Sequence, residues 1–140
     1  MAPEWTFTDA WVLRAINGSD LESGSTLTDV IAAGDFLNRA ILLENEFTEA
    51  VGSLVAAGLA EAEPTAGRYW LTDAGRDLAH RRDRGPEMFH GTLSGLCQLP
   101  PPVREVWPLA PGEFPRAVRD WHERAAQLTQ AMRARRPQPP

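Results

Sequence analysis

The apolar positions of this chain change period several times, and each change marks an element. Trp5, Phe7, Trp11, Val12 and Ile16 begin in alternation and settle into helical spacing, which predicts a first helix of about two turns, capped by Thr8 with Asp9 in its first turn. The stretch NGSDLESGS, residues 17–25, is rich in Gly, Ser and Asp and predicts a surface loop. Thr26 and Leu27 then read as a short strand. Thr28 caps a second helix, with Val30, Ile31 and Ala33 inward and Gly34 as its stop. In residues 35–42, Phe36, Leu37, Ile41 and Leu42 are expected to plug the core. Asp35 and Asn38 read there as caps of a short turn, the competing reading being a polar ligand site that includes Arg39.

The next helix is expected from Asn45 to Gly58, because Phe47, Val51, Leu54 and Val55 fall at i, i+4, i+7 and i+8 as one buried stripe. Leu59–Glu63 reads as a strand, Pro64–Gly67 as a turn and Arg68–Leu71 as the returning strand. Thr72 caps a further helix to about Arg84, with Ala74, Leu78 and Ala79 inward and arginines complementing its C-terminal dipole. Three features carry a family likeness: Leu54-x-x-x-Gly58-Leu59, the hairpin ending in Tyr69-Trp70-Leu71-Thr72, and Gly75 just inside the following helix. Over about residues 5–82 the chain resembles the winged helix-turn-helix family of repressor-like domains. The resemblance implies a mainly α fold with a small β-hairpin (α+β), the helix before the hairpin serving as recognition helix and the hairpin as wing. Residues 35–42 depart from the family pattern, being longer and more apolar than a minimal helix-turn-helix turn.

Beyond residue 84 the pattern changes again. Pro86, Pro100, Pro101, Pro102, Pro108, Pro111 and Pro115 oppose long regular structure, yet Met88, Phe89, Leu93, Leu96, Leu99, Val103, Val106, Trp107, Leu109 and Phe114 are too apolar for a free linker. An extended arm over residues 85–114 is expected, wrapping the domain or reaching a partner, with Pro100–Pro102 in polyproline II. Pro115 opens a last helix to about Arg136, and residues 137–140 read as a disordered end. Val118, Trp121, Ala125, Leu128 and Met132 recur at three and four residues, a seam too short to stand alone as a coiled coil. It must dock on its own domain or on another chain, and the family resemblance implies a homodimer.

Composition narrows the class. At 140 residues and 43% hydrophobic content, the chain has enough for one cored domain (residues 1–84) and an appendage, and too little for two domains. A single cysteine, Cys97, excludes an intrachain disulfide framework. No stretch approaches the roughly 20 apolar residues of a membrane helix and the opening MAPEWTFTDA has no leader pattern, so a cytoplasmic, soluble protein is expected.

Charge decides more. Residues 1–80 hold four arginines and thirteen acids, a net of −9; residues 81–140 hold ten arginines and six acids, a net of +4. The outward face of the expected recognition helix carries Glu46, Glu49, Gly52, Ser53 and Ala56, and no arginine. Glu44, Glu46 and Glu49 crowd its N-terminal half, where a major-groove reader presents Arg, Lys, Asn or Gln. Each such charge near a phosphate costs on the order of 1 kcal/mol even in water. Gly52, Ser53 and Ala56 form a small-residue strip that either admits a close partner or simply reflects an alanine-rich surface. The basic residues left for nucleic acid are Arg68, Arg81, Arg82 and Arg84.

His80, His90 and His122 have no metal-ligand spacing, Cys97 and His90 lie in the arm, and no phosphate loop or nucleophile motif occurs. No catalytic residue, metal or cofactor is expected. Two uses remain: a non-enzymatic module acting through protein contact, or a DNA-binding transcriptional regulator.

Overall fold

The computed structural model describes residues 3–81 and 89–135, in the order α1 (Phe7–Ala15), β1 (Ser25–Thr26), α2 (Leu27–Asn38), α3 (Glu44–Ala56), β2 (Ala60–Glu63), β3 (Arg68–Leu71), α4 (Asp73–Ala79), α5 (His90–Cys97) and α6 (Glu113–Arg135). This is the mainly helical α+β class expected, in a winged-helix-like arrangement. The three strands form one antiparallel sheet ordered β1-β3-β2, with Ser25 opposite Tyr69 and Glu61 opposite Trp70.

The helix starts explain two corrections. Both α1 and α2 open on the sequence Thr-x-Thr-Asp, and in each the outer threonine is the cap: Thr6 rather than Thr8, and Thr26 rather than Thr28. The reason is reciprocity. Asp9 and Asp29 sit three residues after those caps, so each carboxylate accepts from the cap's N–H (2.8 and 3.0 Å) while the cap's hydroxyl accepts from the aspartate's N–H. The inner threonine has no acid at that spacing.

Gly34 does not stop α2. The helix continues to Asn38 and closes at Arg39 in the left-handed conformation (φ 52°). Gly34 serves close approach instead: a Cβ there would lie 3.2 Å from Trp11 Nε1, whose N–H donates to the Gly34 carbonyl at 2.9 Å. Asp35 and Asn38 therefore lie inside α2 rather than capping a turn. Phe36 is exposed, against the expectation that it plugs the core, whereas Leu42 is buried and Leu37 and Ile41 are half-buried. For α3, Leu43 holds the N-cap position and Asn45 lies in the first turn; Glu46 accepts from the Leu43 N–H at 2.9 Å. Gly58, at φ +75°, follows the helix as expected.

Thr72 caps α4, its hydroxyl accepting from the Gly75 N–H at 3.1 Å. Gly75 is there because a Cβ would meet the Leu59 carbonyl oxygen at 1.9 Å. α4 ends at Ala79, with Ala74 exposed rather than buried. Arg82 and Arg84, and Met88 and Pro86 of the expected arm, lie outside the described residues.

α1 packs on both α2 and α3, and the core they share includes Trp11, Leu13, Val30, Ile31, Phe47, Val51 and Leu54. Phe47 meets Tyr69 of β3 edge to face at 5.3 Å, joining the helices to the sheet.

The arm is not extended throughout. Its prolines stand at 86 and from 100 onward, which leaves room for the eight-residue helix α5 between them. α5 packs against α1 and α4, with the Thr92 hydroxyl donating to the Leu78 carbonyl at 2.9 Å. α6 begins at Glu113, ahead of Pro115, which is tolerated in a first turn where no intrahelical donor is needed. α6 lies on α2, where the Trp121 indole donates to Asp35 at 2.9 Å and Arg124 to Asp29 at 3.1 Å. Among the described residues no helix is long and apolar enough to cross a membrane.

Candidate functional site

The outer face of α3 is where the family resemblance would put a partner, and residues 99–107 of the same chain lie across it. Gly52 makes this possible. A Cβ at that position would stand 1.4 Å from the Glu105 carbonyl oxygen and 3.2 Å from the Trp107 nitrogen, so only a bare α-carbon lets the two backbones touch. Beside it the Trp107 N–H donates to the Thr48 carbonyl at 2.9 Å, and the indole of Trp5 donates to the Pro100 carbonyl at 3.0 Å. The Trp107 ring meets Tyr69 edge to face at 6.4 Å, which ties the arm to the wing strand as well.

Arg104 is the central anchor. Its two terminal nitrogens fork onto the Asp9 carboxylate at 2.8 and 2.9 Å; one also donates to Ser53 Oγ at 3.2 Å and the other to the Glu4 carbonyl at 2.5 Å. Asp9 is 1% exposed and is held from the other side by the Thr6 N–H and hydroxyl. A bidentate, charge-assisted pair of this kind fixes orientation as well as adding energy. The Asp9 carboxylate and the hydrogen bond it accepts push the Arg104 pKa upward, beyond the opposing effect of burial.

The arm covers some of the surface candidates and leaves others open. Gly52 and Ser53 are buried beneath the arm, and Ser53 Oγ donates to the Glu49 carbonyl at 2.9 Å. Glu49 and Ala56 are exposed and Glu46 is half-buried. Glu46 and Glu49 line a cavity of about 260 Å³ with Thr6, Thr8, Asp9, Ala50 and Arg104. Arg68 donates to the Gly24 carbonyl at 2.8 Å, within the sheet's own loop. Arg81 is exposed and its guanidinium lies against Gly95 of α5. The helix candidates divide: Val118, Trp121 and Ala125 are half-buried, Leu128 and Met132 exposed.

Sequence reasoning singled out Gly52 and Ser53 but not the residues that meet them. Arg104, Asp9 and Trp107 were legible only as an arginine in an apolar segment, a first-turn acid and one more aromatic. No spacing rule links residues 95 apart. Among the described residues no group of three His, Cys, Asp or Glu side chains is arranged to hold a metal ion. Comparisons with known protein families, curated proteins and solved structures found no match for this chain.

Tyr69 reports on the arm. Burial first, and then the nearby Glu113 charge, push its phenol up to about 12, against a hydrogen bond to Trp107 that lowers it. A phenol whose folded pKa lies above its unfolded value near 10 keeps its proton longest when folded. Its contribution is therefore whole below pH 10 and is lost as pH rises from 10 to 12. The chain has a single tyrosine, so tyrosinate absorbance reads this group alone. The expected midpoint in the native protein is near 12; a midpoint near 10 would show that the arm does not cover it.

Proposed function

We propose that this chain is a non-enzymatic, winged-helix-type module of the cytoplasm that works through protein–protein contact. The observation that supports it is the backbone of Glu105 resting on Gly52, which occupies the α3 face that would otherwise enter a DNA groove. Near the start of that helix Glu44, Asn45 and Glu49 are exposed and Glu46 half-buried, so its exposed charge is acidic. Nonspecific DNA affinity comes from several Lys or Arg neutralising phosphates; α3 itself has none, and Arg104 above it is already paired with Asp9. The lone, exposed thiol of Cys97 suits a reducing compartment such as the cytoplasm.

Fluorescence anisotropy with a labelled duplex at low salt tests this reading against the regulator alternative. The expected result is no salt-sensitive binding. Submicromolar affinity that falls steeply as salt rises would overturn it and point to a DNA-binding regulator whose arm swings clear.

A further inference from the structure

The arm is held on the helices in the way a bound peptide is held, by its backbone and one ion pair. The Pro100 carbonyl accepts from the Trp5 indole, the Glu105 carbonyl rests on Gly52, and the Trp107 N–H donates to the Thr48 carbonyl. Arg104 reaches past them to the Asp9 carboxylate. Apolar burial adds little between these points. From Pro100 to Val106 only Pro102 is buried, while Val103 is 56% and Val106 65% exposed. The walls beneath are α1 and α3, which pack directly on each other, so the groove does not depend on the segment that lies in it.

The ends of the segment leave it free to exchange. α5 docks on α1 and α4 and α6 on α2, and residues 98–112 connect them. Fully extended, that connection reaches roughly 50 Å, more than the diameter of a compact domain of this length, so it can leave the groove with both helices still docked. Its match to the groove is also incomplete. Beside the Arg104 fork a cavity of about 260 Å³ is walled by Thr6, Thr8, Glu46 and Glu49, and the Glu49 charge reaches Arg104. The residues next to Arg104 in the arm are Val103 and Glu105, which bring no positive charge to those two acids.

We propose that this groove is a peptide-binding site whose resident ligand is residues 100–107 and whose outside ligand is an extended, basic segment of a partner protein. The resident defines what the partner carries: an arginine for Asp9, a backbone that touches Gly52 at the next residue, and an aromatic ring three places after the arginine for Tyr69. Charge complementarity defines the rest. A second basic residue beside that arginine meets Glu46 and Glu49, a contact the arm lacks and the means by which a partner displaces it. Until then the arm closes the site as a tethered competitor. The inference rests on the protein-contact reading and names the partner's chemistry.

Fluorescence anisotropy tests it, with a labelled peptide of residues 98–110 (QLPPPVREVWPLA) titrated against the full chain. Arg104→Glu sets like charges against Asp9 and vacates the groove without touching its walls; Trp107→Ser vacates it from the other end. Both variants are expected to bind the peptide at least about a hundredfold more tightly than the wild type, where a tethered copy competes. Adding Gly52→Ala to either abolishes binding, and changing Glu105→Lys in the peptide tightens it roughly fivefold. No binding to either variant, or equal binding to variants and wild type, overturns the site; a lysine peptide that binds no more tightly overturns the basic partner. Duplex DNA titrated against the same variants separates this inference from the reading it rests on. Loss of peptide binding without DNA binding removes the inference alone, whereas DNA binding with a steep salt slope removes the reading.

Discussion

Replacing Arg104 by methionine is expected to lower the stability of the folded chain by about 2–3 kcal/mol, the range for stranding a buried hydrogen-bonded group, because Asp9 is buried while Arg104 itself is open to solvent on one side. Methionine keeps much of the apolar stem and removes the fork, leaving Asp9 buried with only the Thr6 N–H and hydroxyl as donors. The loss comes from the stranded carboxylate more than from the missing attraction, since the pair itself was costly to desolvate. Asp9→Asn in the same background should therefore recover part of it. Urea unfolding followed by tryptophan fluorescence measures both effects. If Arg104→Met costs no more than a surface change, about 0.5 kcal/mol or less, the arm is not anchored on α1.

Gly52→Ala has the second largest expected effect, and it acts on the same contact from the other side. The added methyl would lie 1.4 Å from the Glu105 oxygen, and both groups that collide are fixed to backbone, so no rotamer change relieves it. Overpacking of this kind costs about 1–3 kcal/mol where neighbours can shift, and here the arm must lift. Lifting frees the Asp9 carboxylate to water, so adding Arg104→Met to Gly52→Ala should cost little more. Strong non-additivity is the signature of two residues acting on one docked segment. The tyrosinate midpoint of Gly52→Ala should also fall from near 12 toward 10, because lifting the arm lets water reach Tyr69, an effect larger than the loss of the Trp107 hydrogen bond that holds the phenol down. Additive costs, or an unmoved midpoint, would show that the arm stays in place.

Local rules made the winged-helix-like half of the chain readable. The α3 stripe of Phe47, Val51 and Leu54, the Pro64–Gly67 turn and the Thr72 cap all follow from periods and turn chemistry that act within a few residues. Errors arose where one residue type serves two ends. Glycine can stop a helix or admit a neighbour, and Gly34 does the second because Trp11 needs its carbonyl. Threonine can cap from either of two adjacent sites, and the aspartate three residues on decides between Thr6 and Thr8.

The small strip Gly52, Ser53 and Ala56 was legible as a place of close approach, but not that residues 104–107 of the same chain would approach it. That pairing depends on how α1, α3 and the arm meet in space, and no period in the sequence encodes it. The C-terminal stripe shows the same limit. Its spacing predicts burial throughout, but α2 is only twelve residues long and covers the first half alone.

Amide hydrogen exchange at Trp107 addresses the central claim most directly. That N–H is bonded to the Thr48 carbonyl only while the arm lies on α3. Exchange slowed to the level of the Val51 and Leu54 amides is the result expected. Exchange at the rate of an unstructured peptide, in a chain whose α3 amides stay protected, would show the α3 face open to solvent and contradict the account.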